Sequence, residues 1–154
     1  MSIVGDKTRL AFEIGAYWKS SKQHQHINVW LAGRHLTAED DLVYLPSFYT
    51  HLEEEIVVVE SASWRRTDFA GMSQEEIFRH LENDECHNHR VLRYDATVCR
   101  FDSFYFEEGT NGVFLCSTWP PDQEAGHVFG VQISRSEFLS VLKELLSKLS
   151  GSWV

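Results

Sequence analysis

Apolar positions along the chain follow two rhythms, and the change from one to the other divides it into elements. Across residues 8–19, Leu10, Phe12, Ile14, Ala16 and Trp18 fall on alternate positions, the period of a strand with one buried face. Ser20-Ser21-Lys22-Gln23 is a polar turn, after which Ile27, Val29 and Leu31 resume the alternation as an antiparallel partner closed by Gly33-Arg34. A third, short strand is predicted over residues 41–45. Pro46 then suits the first turn of a helix, where a missing N–H costs nothing. Phe48, Leu52, Ile56 and Val59 recur at helical spacing to about Ser61, although the β-branched Val57-Val58-Val59 weakens the second half.

A second helix is predicted from Ser73, with Glu76 completing a capping box and Ile77, Phe78 and Leu81 forming its apolar face before Asn83-Asp84. From His89 the pattern returns to strand, over residues 91–95 and 97–107. Gly109-Thr110-Asn111-Gly112 reads as a hairpin turn, because Gly and Asn tolerate positive φ. Residues 113–118 return, Pro120-Pro121 breaks the ladder, and residues 128–133 form a last strand. Ser134 and Glu137 make another capping box. The helix behind it carries Phe138, Val141, Leu142, Leu145, Leu146 and Leu149 as one stripe, and Gly151 stops it. This order lacks the alternation of a parallel sheet. It predicts an α+β fold, with a mostly antiparallel sheet and three helices packed mainly on one face. The 154 residues fit a single domain without repeat, linker or low-complexity tract.

Charge changes the picture next. The chain has 14 basic and 23 acidic residues, a formal net charge of −9. Nucleic-acid binding draws on a basic face and counterion release, so a direct nucleic-acid ligand is not expected. An acidic surface instead suits a basic partner. Three widely separated cysteines form no disulfide framework and fit a reducing compartment. No charged and apolar leader opens the sequence, and the longest aliphatic run, Ile56-Val57-Val58-Val59, is far too short to span a bilayer. A cytoplasmic protein without a membrane partner is expected.

Candidate chemistry is sparse. No phosphate loop or nucleophile elbow is present, and Gly109 and Gly112 lie between strands rather than ahead of a helix. Cys86-His87-Asn88-His89 and His24-x-His26 offer zinc-ligand types at spacings that do not match the usual paired ligands, so no metal or cofactor is expected. Cys86 follows Asp84-Glu85, whose charge opposes a thiolate; Cys99 and Cys116 sit in strand patterns as core residues. The carboxylates fall in consecutive polar runs, not in the apolar setting that general acid catalysis requires. No catalytic residue is assigned. The runs instead supply expected partner contacts: Glu39, Asp40 and Asp41; Glu53, Glu54 and Glu55; and Asp84 and Glu85. Trp64 is added as an aromatic anchor near a strand end, and one or two of Trp18, Trp30, Trp64 and Trp119 are expected at the surface.

Gly5-Asp6, Ala11-Phe12-Glu13-Ile14, Val29-Trp30-Leu31-Ala32-Gly33 and Asp40-Asp41-Leu42-Val43-Tyr44-Leu45-Pro46-Ser47-Phe48 together resemble the N-terminal pattern of polymorphic-toxin immunity proteins. The pattern is similar to that of immunity protein family 42 and covers about the first 60 residues. The resemblance implies a cytoplasmic, non-enzymatic protein that binds a cognate toxin one-to-one. The toxin would be a basic nuclease type that the acidic chain suits, and homo-oligomerisation stays open. The alternative reading is a small-ligand-binding or regulatory domain, with a pocket between sheet and helices.

Overall fold

A computed structural model of the chain describes residues 2–37, 41–84, 89–92, 101–118 and 127–150. The first antiparallel sheet comprises β1 (Ser2–Gly5), β2 (Leu10–Tyr17), β3 (His24–Leu31), β4 (Arg34–His35) and β5 (Leu42–Tyr44). β3 lies at its centre and shows why one face is covered. Gln25, Ile27, Val29 and Leu31 are buried, while His24, His26, Asn28 and Trp30 alternate with them on a half-exposed face. The alternation predicted through Trp18 holds only to Ile14. Pairing with β3 shifts register between Ile14 and Tyr17, so Ala16 and Trp18 leave the buried face. β1 and β4 escape a periodicity reading because they are four and two residues long.

β5 runs directly into α1 (Leu45–Ser61), with Pro46 in the first turn as predicted. Its buried stripe is Leu45, Phe48, Leu52, Ile56 and Val59. α2 (Gln74–Glu82) and α3 (Arg135–Leu149) both start at the predicted capping boxes. The Ser73 and Ser134 hydroxyls accept the backbone N–H of Glu76 and Glu137, each at 3.2 Å.

The strands of the second half form a separate three-stranded sheet of β6 (Phe101–Glu108), β7 (Asn111–Thr118) and β8 (Val128–Gln132). Both its faces are covered. Phe101, Tyr105, Phe114 and Cys116 join the main core with α1, α3 and the first sheet, whereas Phe104, Phe106 and Leu115 pack with Ile77, Phe78 and Leu81 of α2. This explains why Phe101–Phe106 is buried without interruption. The fold is α+β, as expected, with its strands divided between two sheets. Val91 and Leu92 lie outside any strand; residues 93–100 and Pro120-Pro121 fall outside the described residues.

Long-range polar contacts lock this packing. The Arg9 guanidinium donates to both Glu137 carboxylate oxygens at 2.8–3.0 Å and to the Gln132 carbonyl at 2.9 Å, fastening the β1–β2 turn to the start of α3. Arg135 pairs with Glu107, and Lys143 with Glu60 at 3.0 Å, joining α3 to β6 and α1. Such partly solvated pairs contribute no more than about 1 kcal/mol each, so they orient the helices more than they stabilise them.

Candidate functional site

Two surfaces carry features beyond ordinary solvation. The first is the outward side of α1. Its C-terminal end leads to Trp64, whose backbone carbonyl accepts from Glu107 N–H at 2.8 Å, while the Val91 N–H donates to Ser103 O at 3.0 Å. Two short segments are thus laid along the edge of β6, and a concave pocket of about 190 Å³ opens between them and α1. His51, Glu54, Glu55 and Val58 line it from the helix, and Trp64, Arg90 and Val91 line it from the segments. The spacing i, i+3, i+4, i+7 along α1 places those four side chains on one helical face.

The predicted acids divide sharply by role. Glu53 and Glu54 are exposed and have no hydrogen bond or ion pair among the described residues. Glu55 is half-buried and accepts the Leu92 N–H at 3.0 Å, supporting a leucine held at φ 63°, a left-handed conformation that costs about 1–2 kcal/mol. Asp41 belongs to the open face of the first sheet, where it binds the His26 ring at 2.7 Å and accepts from the Asn28 amide at 3.0 Å. Asp84 is half-buried just beyond α2. Glu39, Asp40 and Glu85 lie outside the described residues.

Trp64, expected as an exposed anchor, is 1% exposed. Its indole N–H donates to Val59 O at 3.2 Å, and its ring meets Tyr105 and His89 edge-on at 5.5 and 5.9 Å. It reaches the pocket only as a wall. Nothing in the local sequence distinguishes it from Trp18, which is 41% exposed; the difference comes from β6 of the second sheet, distant in the chain, pairing across Trp64. Sequence reasoning also passed over Val57 and Val58, which are 64% and 45% exposed. The β-branched run was a signal, read as helix weakness rather than as an apolar face turned outward.

The second surface is the open face of the first sheet. Trp18, His24 and Tyr44 form a chain of ring contacts with centroids 6.2 and 5.3 Å apart. Further along, Trp30 stacks on His35 at 4.5 Å, with the Lys7 ammonium 4.4 Å from the indole. Lys7 also pairs with Glu13 at 3.0 Å. Most charged groups on this face already have partners on it.

Among the described residues no three His, Cys, Asp or Glu side chains come together as a metal site; Cys86, His87 and Cys99 lie outside them. Cys116 is buried, and burial pushes its thiol well above the ordinary range, away from a reactive thiolate. Also among the described residues, no helix is long and apolar enough to cross a membrane.

His89 is the one buried histidine described, and neither ring nitrogen finds a hydrogen-bond partner among the described residues. Burial, helped by nearby Arg66 and opposed by Asp84 and Asp68, lowers its pKa below the ordinary 6.5. The unfolded chain therefore takes up this proton first, and the stability present above pH 6.5 is lost as pH falls. His89→Phe is expected to flatten that loss between pH 7.5 and 5.5. Urea denaturation at the two pH values checks this, and parallel slopes for both proteins would rule His89 out.

Among the described residues the molecule is thus an α+β protein of two antiparallel sheets and three helices. No family model matches the chain, and no curated protein matches it. Among solved structures, the chain is similar to the crystal structure of CdiI from Burkholderia dolosa AUO158, with a TM-score of 0.74. The match covers 96% of this chain and 99% of that one at 15% sequence identity. The chain has the fold of a CdiI immunity protein.

Proposed function

We propose that the chain is an immunity protein that binds and neutralises a cognate bacterial toxin, one-to-one and without turnover. The observation that carries this reading is the shared fold, which runs through nearly the whole of both chains rather than through one motif. The net charge of −9 supports a toxin with a basic surface, such as a nuclease whose substrate cleft is positive. Within the class, immunity protein family 42 is suggested by the N-terminal residues alone. The contact set is drawn from Asp41, Glu53, Glu54, Glu55 and Asp84, with Glu39, Asp40 and Glu85, and Trp64 shapes the adjoining pocket. Binding takes place in the cytoplasm of the producing cell.

The α1 pocket itself is small for the small-ligand alternative: its 190 Å³ falls below the roughly 300–1,000 Å³ of typical small-molecule sites. Co-expression provides the direct test. Cells arrested by the toxin domain encoded beside this chain are expected to resume growth when the chain is supplied in trans. Continued arrest, with the chain folded and abundant, would defeat the reading.

A further inference from the structure

A solvated helix surface is ordinarily finished with long charged residues that pair along the helix. α2 follows this rule: Arg79 pairs with Glu82 at 3.1 Å and approaches Glu75 at 3.9 Å. α1 does not. Glu53 and Glu54 stand unpaired among the described residues, and Val57 and Val58 follow them into solvent, although β-branched residues weaken a helix. The pocket adjoins this stripe with apolar walls at Val58, Trp64 and Val91, and the exposed Glu54 stands among its lining. Arg90 is also in the lining, but Asp102 lies 3.8 Å from its guanidinium and offsets its charge. By contrast, Asp41, Glu13 and Lys7 on the open face of the first sheet are partnered within that face.

We propose that the outward face of α1 is the toxin-docking surface, and that a long cationic side chain of the toxin, arginine or lysine, enters its pocket. The methylene stem lies against Val58, Trp64 and Val91, and the charged head meets Glu54, with Glu53 beside it. Such side chains place their stems on apolar surface while keeping their heads with charge or water, which matches the order of groups from floor to rim. Unneutralised glutamates supply the charge complementarity, and the exposed valines supply the apolar contact that surrounds an interface anchor. The identity of the occupant rests on the immunity reading; the cation pocket does not.

Two measurements separate the two. In an NMR titration, N-acetylarginine amide is expected to shift the backbone amides of residues 53–58 and the Trp64 indole N–H. N-acetylcitrulline amide, of nearly the same shape but neutral, is expected to leave them unmoved. Val58→Lys, which places a cation at the pocket mouth, should abolish the arginine shifts while leaving the rest of the spectrum in place. Equal shifts from both ligands, or shifts centred on other exposed acids such as Glu75 and Glu76, would overturn the pocket.

For the toxin domain, Glu53→Lys with Glu54→Lys is expected to raise Kd roughly tenfold or more, most strongly at low salt. The same reversal at Glu75 and Glu76 should change it less than about twofold. If the wild-type chain protects cells and the α1 variant binds as tightly, this surface is wrong and the immunity reading stands. If the chain does not protect yet arginine still maps to α1, the toxin is overturned as the occupant along with that reading.

Discussion

Replacing Trp64 with alanine is expected to destabilise the protein by about 3–5 kcal/mol, the range for truncating a large buried aromatic. The indole is buried where α1, β6 and the segment around His89 meet. Its removal leaves a void those backbones cannot close, because each is fixed by its own hydrogen bonds: Glu107 N–H to Trp64 O at 2.8 Å, and Tyr105 N–H to His89 O at 2.9 Å. The loss also leaves Val59 O without the indole N–H. A domain is stable by only about 5–15 kcal/mol, so this single change removes a large fraction. Chemical denaturation measures it, and Trp64→Phe should recover more than half. A Trp64→Ala protein that unfolds at the wild-type denaturant concentration would contradict the indole's place in the core.

Trp64 also marks where legibility ended. Elements defined by neighbours within a few residues were readable: the capping boxes at Ser73 and Ser134, the Pro46 start, and the stripes of α1 and α3. Features set by distant pairing were not. Nothing in the sequence marks that β6, β7 and β8 form a sheet apart from the strands of the first half. Continuous burial along Phe101–Phe106 follows from α2 taking the opposite face from α3, a fact of packing. The acids show the same division. Glu39 to Asp41, Glu53 to Glu55 and the Asp84 region look alike as runs. Yet Asp41 is bound to His26 and Asn28, Glu55 holds Leu92, and Glu53 and Glu54 remain open to solvent. Sequence gives the charge; the fold decides which charges are free to recognise anything.

Gly112 gives the other large expected effect, and it runs against the turn reading of residues 109–112. The turn is at Gly109 and Thr110, whereas Gly112 lies within β7, paired with Glu107. Gly109 has φ 60° and open space around it, so Gly109→Ala should cost only the left-handed penalty of about 1–2 kcal/mol. A side chain on Gly112 would strike the Ile133 carbonyl oxygen and the Tyr105 hydroxyl. Those two groups are hydrogen-bonded to each other at 3.1 Å, and burial has pushed the Tyr105 phenol up to about 12. Neither can retreat easily, since Ile133 N–H donates back to Gly112 O at 2.9 Å and the Tyr105 ring packs on Phe114 and Phe138. Gly112→Ala therefore combines overpacking with a broken buried hydrogen bond, together about 3 kcal/mol or more. Adding Tyr105→Phe should return part of that loss by removing the clashing hydroxyl, which denaturation of the single and double variants would show as non-additivity. Additive effects, or a Gly109→Ala cost equal to that of Gly112→Ala, would mean that close packing at Ile133 is not why glycine stands there.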